Sequence, residues 1–388
     1  MNIALVVYSH YSRDARVRRY AETLSRKNHS VDVICLGENY IPREEKIRLI
    51  YYPVNRLRLG KWWYVFEYFC FFIFSFFSLS IRNIQKKYRI IHINNMPDIL
   101  VFSAIIPKLF GTKIILDMHD PMPELYKSKY DVQDNNFMVK TLKLIERTSM
   151  GFADMVITAN PVFRNFFISR NSTSLNKISV ILNCPDEKMF KYIKMKHRNN
   201  AFFHLLYMGT VEKRFGLDIA VDGMAKLFHK YPDITFTIIP KLDNEGEYIE
   251  RLKEKINNLN LNKSFCFLKP QPLESIDKIL KKTDVGIVLA KNGKFTESIL
   301  PVKLLEFIQM RVPVIATKTR ILSQNFDKNM LFFLNKNTPE EFSSAIEHLY
   351  ANPMLRKNLA TNAIKYLVKY NWKIEERKYL SLINTLGK

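Results

Sequence analysis

The sequence predicts an α/β protein built from two Rossmann-like, doubly wound parallel-sheet domains facing a cleft. Two observations carry this. Short apolar runs alternate with amphipathic helical patterns, as βαβ units require. That series also runs twice along a chain of 388 residues, long enough for two separate cores.

The first series opens with the apolar run Ile3–Tyr8 and the loop Ser9–Asp14. A helix over about Ala15–Lys27 and a strand over Ser30–Leu36 follow, with His29 at the turn between them. A long helix spans roughly Trp62–Lys87. Next come the strand Ile90–Ile93, a helix over Leu100–Leu109 and the strand Thr112–Asp117. Strands at Met155–Thr158 and Ile178–Leu182 complete the series. The polar stretch Lys188–Asn200 reads as a linker. The second series starts with the strand Leu205–Met208 and a helix over Leu217–His229. Strands at Thr235–Ile239, Phe265–Leu268, Val285–Leu289 and Pro313–Ala316 follow, with helices between them. A last helix covers Ile374–Leu386. The expected domains are 1–190 and 200–370, with 371–388 packing back on the first.

Composition narrows the function classes. Hydrophobic residues make up 47% of the chain and charged residues 25%, which excludes a disordered tail protein. Cys35, Cys70, Cys184 and Cys266 lie far apart with no C-x-x-C pair, so a zinc or redox site has no support. Reduced thiols in a cytoplasmic protein are expected. The net charge is +23, with 18 Lys/Arg against 8 Asp/Glu in residues 1–113. Such a surface suits nucleic acid, anionic lipid or a diphosphate substrate, and serves solubility equally well.

Open parallel sheets bind ligands beyond the carboxyl ends of their strands. Four loops stand there: Ser9–Arg16, Met118–Tyr126, Gly209–Gly216 and Lys291–Glu306. In the last, a helix starting near Pro301 offers free N–H groups to an anion. Lys303 adds charge, and Glu306 one turn on can accept from ribose hydroxyls. A solvated Lys–Glu pair is the structural alternative. Gly209 lets backbone approach a ligand, with Thr210, Lys213 and Arg214 following; Arg214 suits paired phosphate oxygens. His119, Asp120 and Glu124 occupy the second loop. Arg13, Asp14 and Arg16 occupy the first, where Asp14 also reads as a helix N-cap.

These segments carry a resemblance. Ser298-Ile-Leu-Pro-Val-Lys-Leu-Leu-Glu306-Phe with Arg-Val-Pro-Val-Ile-Ala-Thr after it is similar to the donor-site signature of retaining glycosyltransferases of family 4. So are Leu206-Tyr-Met-Gly-Thr-Val-Glu-Lys-Arg-Phe-Gly-Leu-Asp218 and Asp117-Met-His-Asp-Pro-Met-Pro-Glu-Leu-Tyr126. Tyr8-Ser-His-Tyr-Ser-Arg-Asp-Ala-Arg-Val17 resembles members that build bacterial surface polysaccharides.

The resemblance implies the GT-B fold and a UDP-sugar donor. The acceptor is expected to be a glycan, and the apolar segment Trp62–Ile81 with the basic surface suggests that it is lipid-linked at the inner membrane face. No cofactor and no metal are expected. Glu306 would hold the donor ribose. Lys213, Arg214 and Lys303 would hold the diphosphate, with His119 near the sugar. Arg13, Asp14, Arg16 and Glu124 would meet the acceptor. The chain departs from the family where Ser298 replaces the first glutamate of the Glu-x7-Glu motif, with Glu297 beside it. It departs again where Ile299 and Leu300 replace a Gly-rich turn.

The segment Trp62–Ile81 approaches a transmembrane helix in length and apolarity. Glu67 inside it, basic residues at both ends and strands of one sheet on either side favour a membrane interface, with Trp62, Trp63, Phe71, Phe72 and Phe76 facing lipid. A buried core helix is the alternative. Competing functions are an epimerase or phosphorylase on the same fold, for which no carboxylate dyad is apparent, and a nucleic-acid binder, for which no motif is present.

Overall fold

The computed structural model describes the chain except residues 39, 55–60, 188, 193–201, 242–245 and 272, and the side chains at 61, 62, 64, 273 and 274. Most of the expected linker, with Lys194, Lys196 and Arg198, lies outside the described residues, as does the Trp62 side chain. The chain forms two units, Met1–Asn183 with Lys373–Lys388, and Cys184–Trp372.

Unit 1 begins β1 (Asn2–His10), α1 (Ala15–Arg26), β2 (Ser30–Leu36), β3 (Ile47–Tyr52), α2 (Lys61–Lys86) and β4 (Ile90–Asn94). It continues with a 3-10 segment at Asp98–Ala104, α3 (Ile105–Leu109), β5 (Lys113–Met118), α4 (Met122–Tyr130), α5 (Phe137–Phe152), β6 (Met155–Thr158), α6 (Pro161–Asn171) and β7 (Ile178–Val180). The strands form one parallel sheet in the order β3-β2-β1-β4-β5-β6-β7. Continuous apolar runs such as Ile3–Val7 and Ile90–Ile93 are buried, as strands covered on both faces must be. Asp14 caps α1 by accepting from the Val17 N–H at 3.0 Å.

Unit 2 begins β8 (Phe203–Gly209), α7 (Leu217–Ala225), β9 (Ile234–Pro240), α8 (Glu247–Asn258), β10 (Phe265–Phe267) and α9 (Leu273–Leu280). It ends with β11 (Val285–Val288), α10 (Val302–Gln309), β12 (Val314–Thr317), α11 (Arg320–Asn325), β13 (Phe332–Leu334), α12 (Pro339–Ala351) and α13 (Pro353–Lys369). Its parallel sheet runs β10-β9-β8-β11-β12-β13. Strand order reverses between β8 and β11, so the loops after these two strands flank the switch point where doubly wound sheets bind ligands.

From α13 the chain passes into α14 (Trp372–Gly387), which belongs to unit 1 from Lys373 onward. Glu375 Oε2 accepts from the Leu182 N–H at 2.9 Å, and the Tyr379 hydroxyl lies 3.0 Å from His92 Nδ1. The expected helix at 100–109 is instead a 3-10 segment followed by the short α3.

Candidate functional site

In unit 2 the site grows from β8. Its last residue, Gly209, has φ +121°, which strains any side chain. A β-carbon there would stand 3.7 Å from Lys303 Cδ and 3.9 Å from its Nζ, so bare backbone faces the lysine. Lys303 extends from α10, whose Leu304, Leu305, Phe307 and Ile308 are buried. That apolar face holds the helix down and leaves Lys303 and Glu306, three residues apart, half-buried on its other side. Pro301 caps the helix, which starts one residue later than expected.

Aromatic rings hold the cations. Lys303 Nζ lies 3.6 Å from the centroid of Tyr207 and 5.3 Å from that of Phe215. Tyr207 is fully buried, and its hydroxyl donates to the Thr210 carbonyl at 2.5 Å. Burial and the nearby Lys241 ammonium push the Lys303 pKa well down, with Glu306 opposing them. An anion arriving at Lys303 would relieve that cost. The Arg214 guanidinium sits 5.1 Å from Phe215 and 5.4 Å from Phe295, paired with Glu212 at 2.6 Å. Lys213 is exposed. Gly216, at φ +63°, turns this loop into α7. Arg214 is fixed through its carbonyl, which accepts from the Lys291 N–H at 2.7 Å. Thus Lys303 and Arg214 border one ring, Phe215.

The loop before α10 is tied to itself. Ser298 is buried, and its hydroxyl donates to the Lys294 carbonyl at 2.7 Å. Glu297 accepts from the Arg320 N–H at 2.5 Å. Ile299 and Leu300 are half-buried beside them.

In unit 1, His119 follows β5. Its backbone N–H donates to Asn95 Oδ1 at 3.3 Å, and its ring Nδ1 has no hydrogen-bond partner among the described residues. Asn95 also donates to Asp98 Oδ1 at 2.9 Å and to the Asp120 carbonyl at 3.2 Å. Asn95 therefore ties the loop after β4 to the loop carrying His119. Sequence selection passed over this loop, although it too stands at the carboxyl end of a strand. The rings of Tyr207, Phe215 and Phe295 were also missed, because aromatic residues in apolar runs read as core.

Several expected roles are corrected. Arg16 is buried, with Nε 2.7 Å and Nη2 3.1 Å from Asp117, and Nη1 donating to the Ile181 carbonyl. It holds the core, so it is not an acceptor contact. Glu124 is buried and paired with Arg170 at 2.7 Å, and Arg170 also binds Glu146. Asp14 serves as the α1 cap, and Arg13 alone of that group is exposed. Phe71 is buried, with its ring 5.0 Å from Tyr8 and 5.5 Å from Tyr52, so it does not face lipid. Phe72 and Phe76 are half-buried, and Trp63 donates to Glu67 at 3.0 Å.

Comparison with known proteins supports the same division. Residues 15–188 match the model of Glycosyltransferase Family 4, and residues 189–366 match that of Glycosyl transferases group 1. D-inositol 3-phosphate glycosyltransferase of Corynebacterium urealyticum is 23% identical over 184 residues, 46% of this chain and 42% of that protein. The chain thus spans less than half the length of this curated relative. Sucrose-phosphate synthase of Thermosynechococcus elongatus superposes with TM-score 0.77 at 17% identity, covering 100% of this chain and 99% of that one. HepE of Anabaena in complex with UDP-glucose superposes with TM-score 0.73 at 13% identity, covering 99% and 100%. The chain has the GT-B fold and belongs with the glycosyltransferases, whose domain models match it in succession across residues 15–366.

Proposed function

We propose that the protein is a retaining glycosyltransferase that moves a sugar from a UDP-sugar to a lipid-linked glycan in cell-surface polysaccharide synthesis. The observation carrying this is the Lys303 ammonium held against Tyr207 and the bare backbone of Gly209, with Glu306 one turn along α10. A desolvated cation beside a glycine at a switch point suits a diphosphate, and a carboxylate one turn on suits a ribose. HepE, on the same fold, has been seen with UDP-glucose.

In this reading Lys213, Arg214 and Lys303 stabilise charge on the leaving diphosphate, and a donor phosphate oxygen takes the acceptor proton. Catalysis is then mostly electrostatic, by charges fixed in advance. Those three cations supply what a metal would, so full activity in a chelator is expected. His119 is assigned to the transferred sugar, and Arg13 to the acceptor. The protein works at the cytoplasmic face of the membrane, where a lipid-linked acceptor resides.

The test is thermal stabilisation by a panel of nucleotide sugars, since a ligand bound only to the folded state raises the melting temperature. UDP-sugars should raise it. A shift with other nucleotides and none with any nucleotide sugar would overturn the donor reading.

A further inference from the structure

The exposed surface of α2 is apolar along its described length. Phe66, Phe69, Ile73, Phe77, Ile81 and Ile84 recur every three or four residues on one side. Val65 and Gln85 are the other exposed residues described in this helix, so no charge interrupts the stripe. It runs for about 27 Å at the α-helical rise. The short α3 packs beside α2 and ends in Leu109 and Phe110, which are 77% and 79% exposed. Isolated surface apolar residues need no explanation, but a continuous band of large ones does.

The opposite face of α2 is fixed to the sheet. Phe71, Ser75, Leu79 and Asn83 are buried, and Tyr8 of β1 donates to Glu67 at 3.2 Å. The strands before and after α2 belong to the same sheet. The helix therefore cannot cross a bilayer without dismantling unit 1, although its length and hydropathy suffice.

Charge selects the occupant. Residues 61–113 contain seven Lys/Arg and only two acidic residues, Glu67 and Asp98. Both carboxylates are buried, 6% and 2% exposed, while Lys87, Arg89 and Lys113 are exposed. The accessible surface of this segment is thus apolar with basic residues and no carboxylate. Two copies pairing through it would bring like charges together. An anionic bilayer accepts both the rings and the cations.

We propose that unit 1 docks on an anionic membrane through the outward stripe of α2 together with Leu109 and Phe110, with α2 lying in the plane of the interface. This deepens the membrane-face reading above, and it replaces the buried Phe71 with residues that can reach lipid.

The experiment is flotation of the full chain with phosphatidylcholine vesicles, with and without phosphatidylglycerol. The wild type should float with the anionic vesicles and much less with neutral ones. Phe66→Ser/Phe69→Ser/Phe77→Ser should weaken binding by more than about tenfold, as should Leu109→Ser/Phe110→Ser. Melting temperature and its rise with UDP-sugar should stay at wild-type values, because these side chains are exposed. A single Phe77→Trp substitution covers the case of a misfolded triple variant: brominated lipid should quench its added emission. Three outcomes overturn the proposal: wild type that binds neither vesicle, variants that bind like wild type, or a solution dimer that the variants dissociate while vesicle binding is unchanged. Loss of flotation with the UDP-sugar shift intact separates failure of docking from failure of the donor reading.

Discussion

At the scale of single residues, donor chemistry and protonation give separable predictions. Glu306→Ala removes the proposed ribose acceptor while leaving α10 anchored by its buried apolar face. Losing hydrogen bonds to a charged group should weaken UDP-sugar binding by about 2 kcal/mol, roughly 30-fold in Kd. Unchanged binding in titration calorimetry would refute the assignment. Arg214→Ala removes a charge assigned to the leaving group, so kcat should fall by about two orders of magnitude, more than affinity falls. A second contrast concerns two buried groups of unit 1. Burial pushes His92 down to about 4, with Asp117 opposing and Arg16 reinforcing that shift. Its folded pKa is depressed, so below 6.5 the unfolded chain takes a proton that the folded chain refuses. Stability therefore falls as pH drops from about 6.5 to 4, by up to about 3 kcal/mol. Asp98 does the opposite: burial and repulsion by Glu146 push it up to about 7, against Asn95 and Arg170. Its contribution is present at low pH and is lost as pH rises through 7. The two slopes oppose each other between pH 4 and 6.5. The informative measurement is accordingly the stability difference between wild type and His92→Gln, which should shrink steadily on acidification. A difference that is flat with pH would show that His92 titrates normally.

At the scale of elements, α2 carries two faces with different physics. Phe71 packs edge-on against Tyr8 and Tyr52 in the core, whereas Phe77 on the next exposed arc touches solvent. Phe71→Ala should cost about 3–5 kcal/mol of unfolding free energy in denaturant melts, and Phe77→Ala less than about 0.5 kcal/mol. Equal costs would contradict the placement of this helix on the sheet. The same helix shows what the sequence discloses. Its length and apolarity are plain in Trp62–Ile81, but aromatic residues occupy eleven of its twenty positions and fall on every side of the helix, so periodicity could not say which ring points inward. The buried strands Ile3–Tyr8 and Ile90–Ile93 were legible because central parallel strands read as unbroken apolar runs. Ile47–Tyr52 and Phe332–Leu334 escaped because both are edge strands, short or interrupted by a charge at Arg48. The proximity of the Gly209 turn to the α10 segment was legible through Gly209 and the pattern around Lys303 and Glu306; their assignment to a donor remains the proposal made above. Arg16 and Glu124 misled, because a charged residue in a loop near a strand end looks the same in sequence whether it meets solvent or a buried partner.

At the scale of the whole molecule, the chain leaves unit 1 at Asn183, builds unit 2, and returns at Lys373. Unit 1 is therefore discontinuous in sequence while unit 2 is not, and the two should answer differently to loss of the C-terminus. Ending the chain after Trp372 removes Glu375, which is fully buried and accepts from the Leu182 N–H. It also removes Tyr379, whose ring lies 4.3 Å from Tyr20 and whose hydroxyl meets His92. Contacts of Glu376 with Thr23 and Arg26 are lost as well. An uncovered apolar face and unpaired buried groups together exceed the margin of a typical domain, about 5–15 kcal/mol. Unit 1 should consequently melt early or fail to fold in the truncated chain. Unit 2 keeps its whole sheet, with Gly209, Arg214, Lys303 and Glu306, within Cys184–Trp372. Calorimetry of the truncated chain should then show one remaining transition that still rises with UDP, alongside complete loss of sugar transfer. A single transition abolished by the truncation would mean that unit 2 depends on unit 1 for its stability. Donor binding that vanished while the remaining transition persisted would mean that the nucleotide site needs residues outside unit 2.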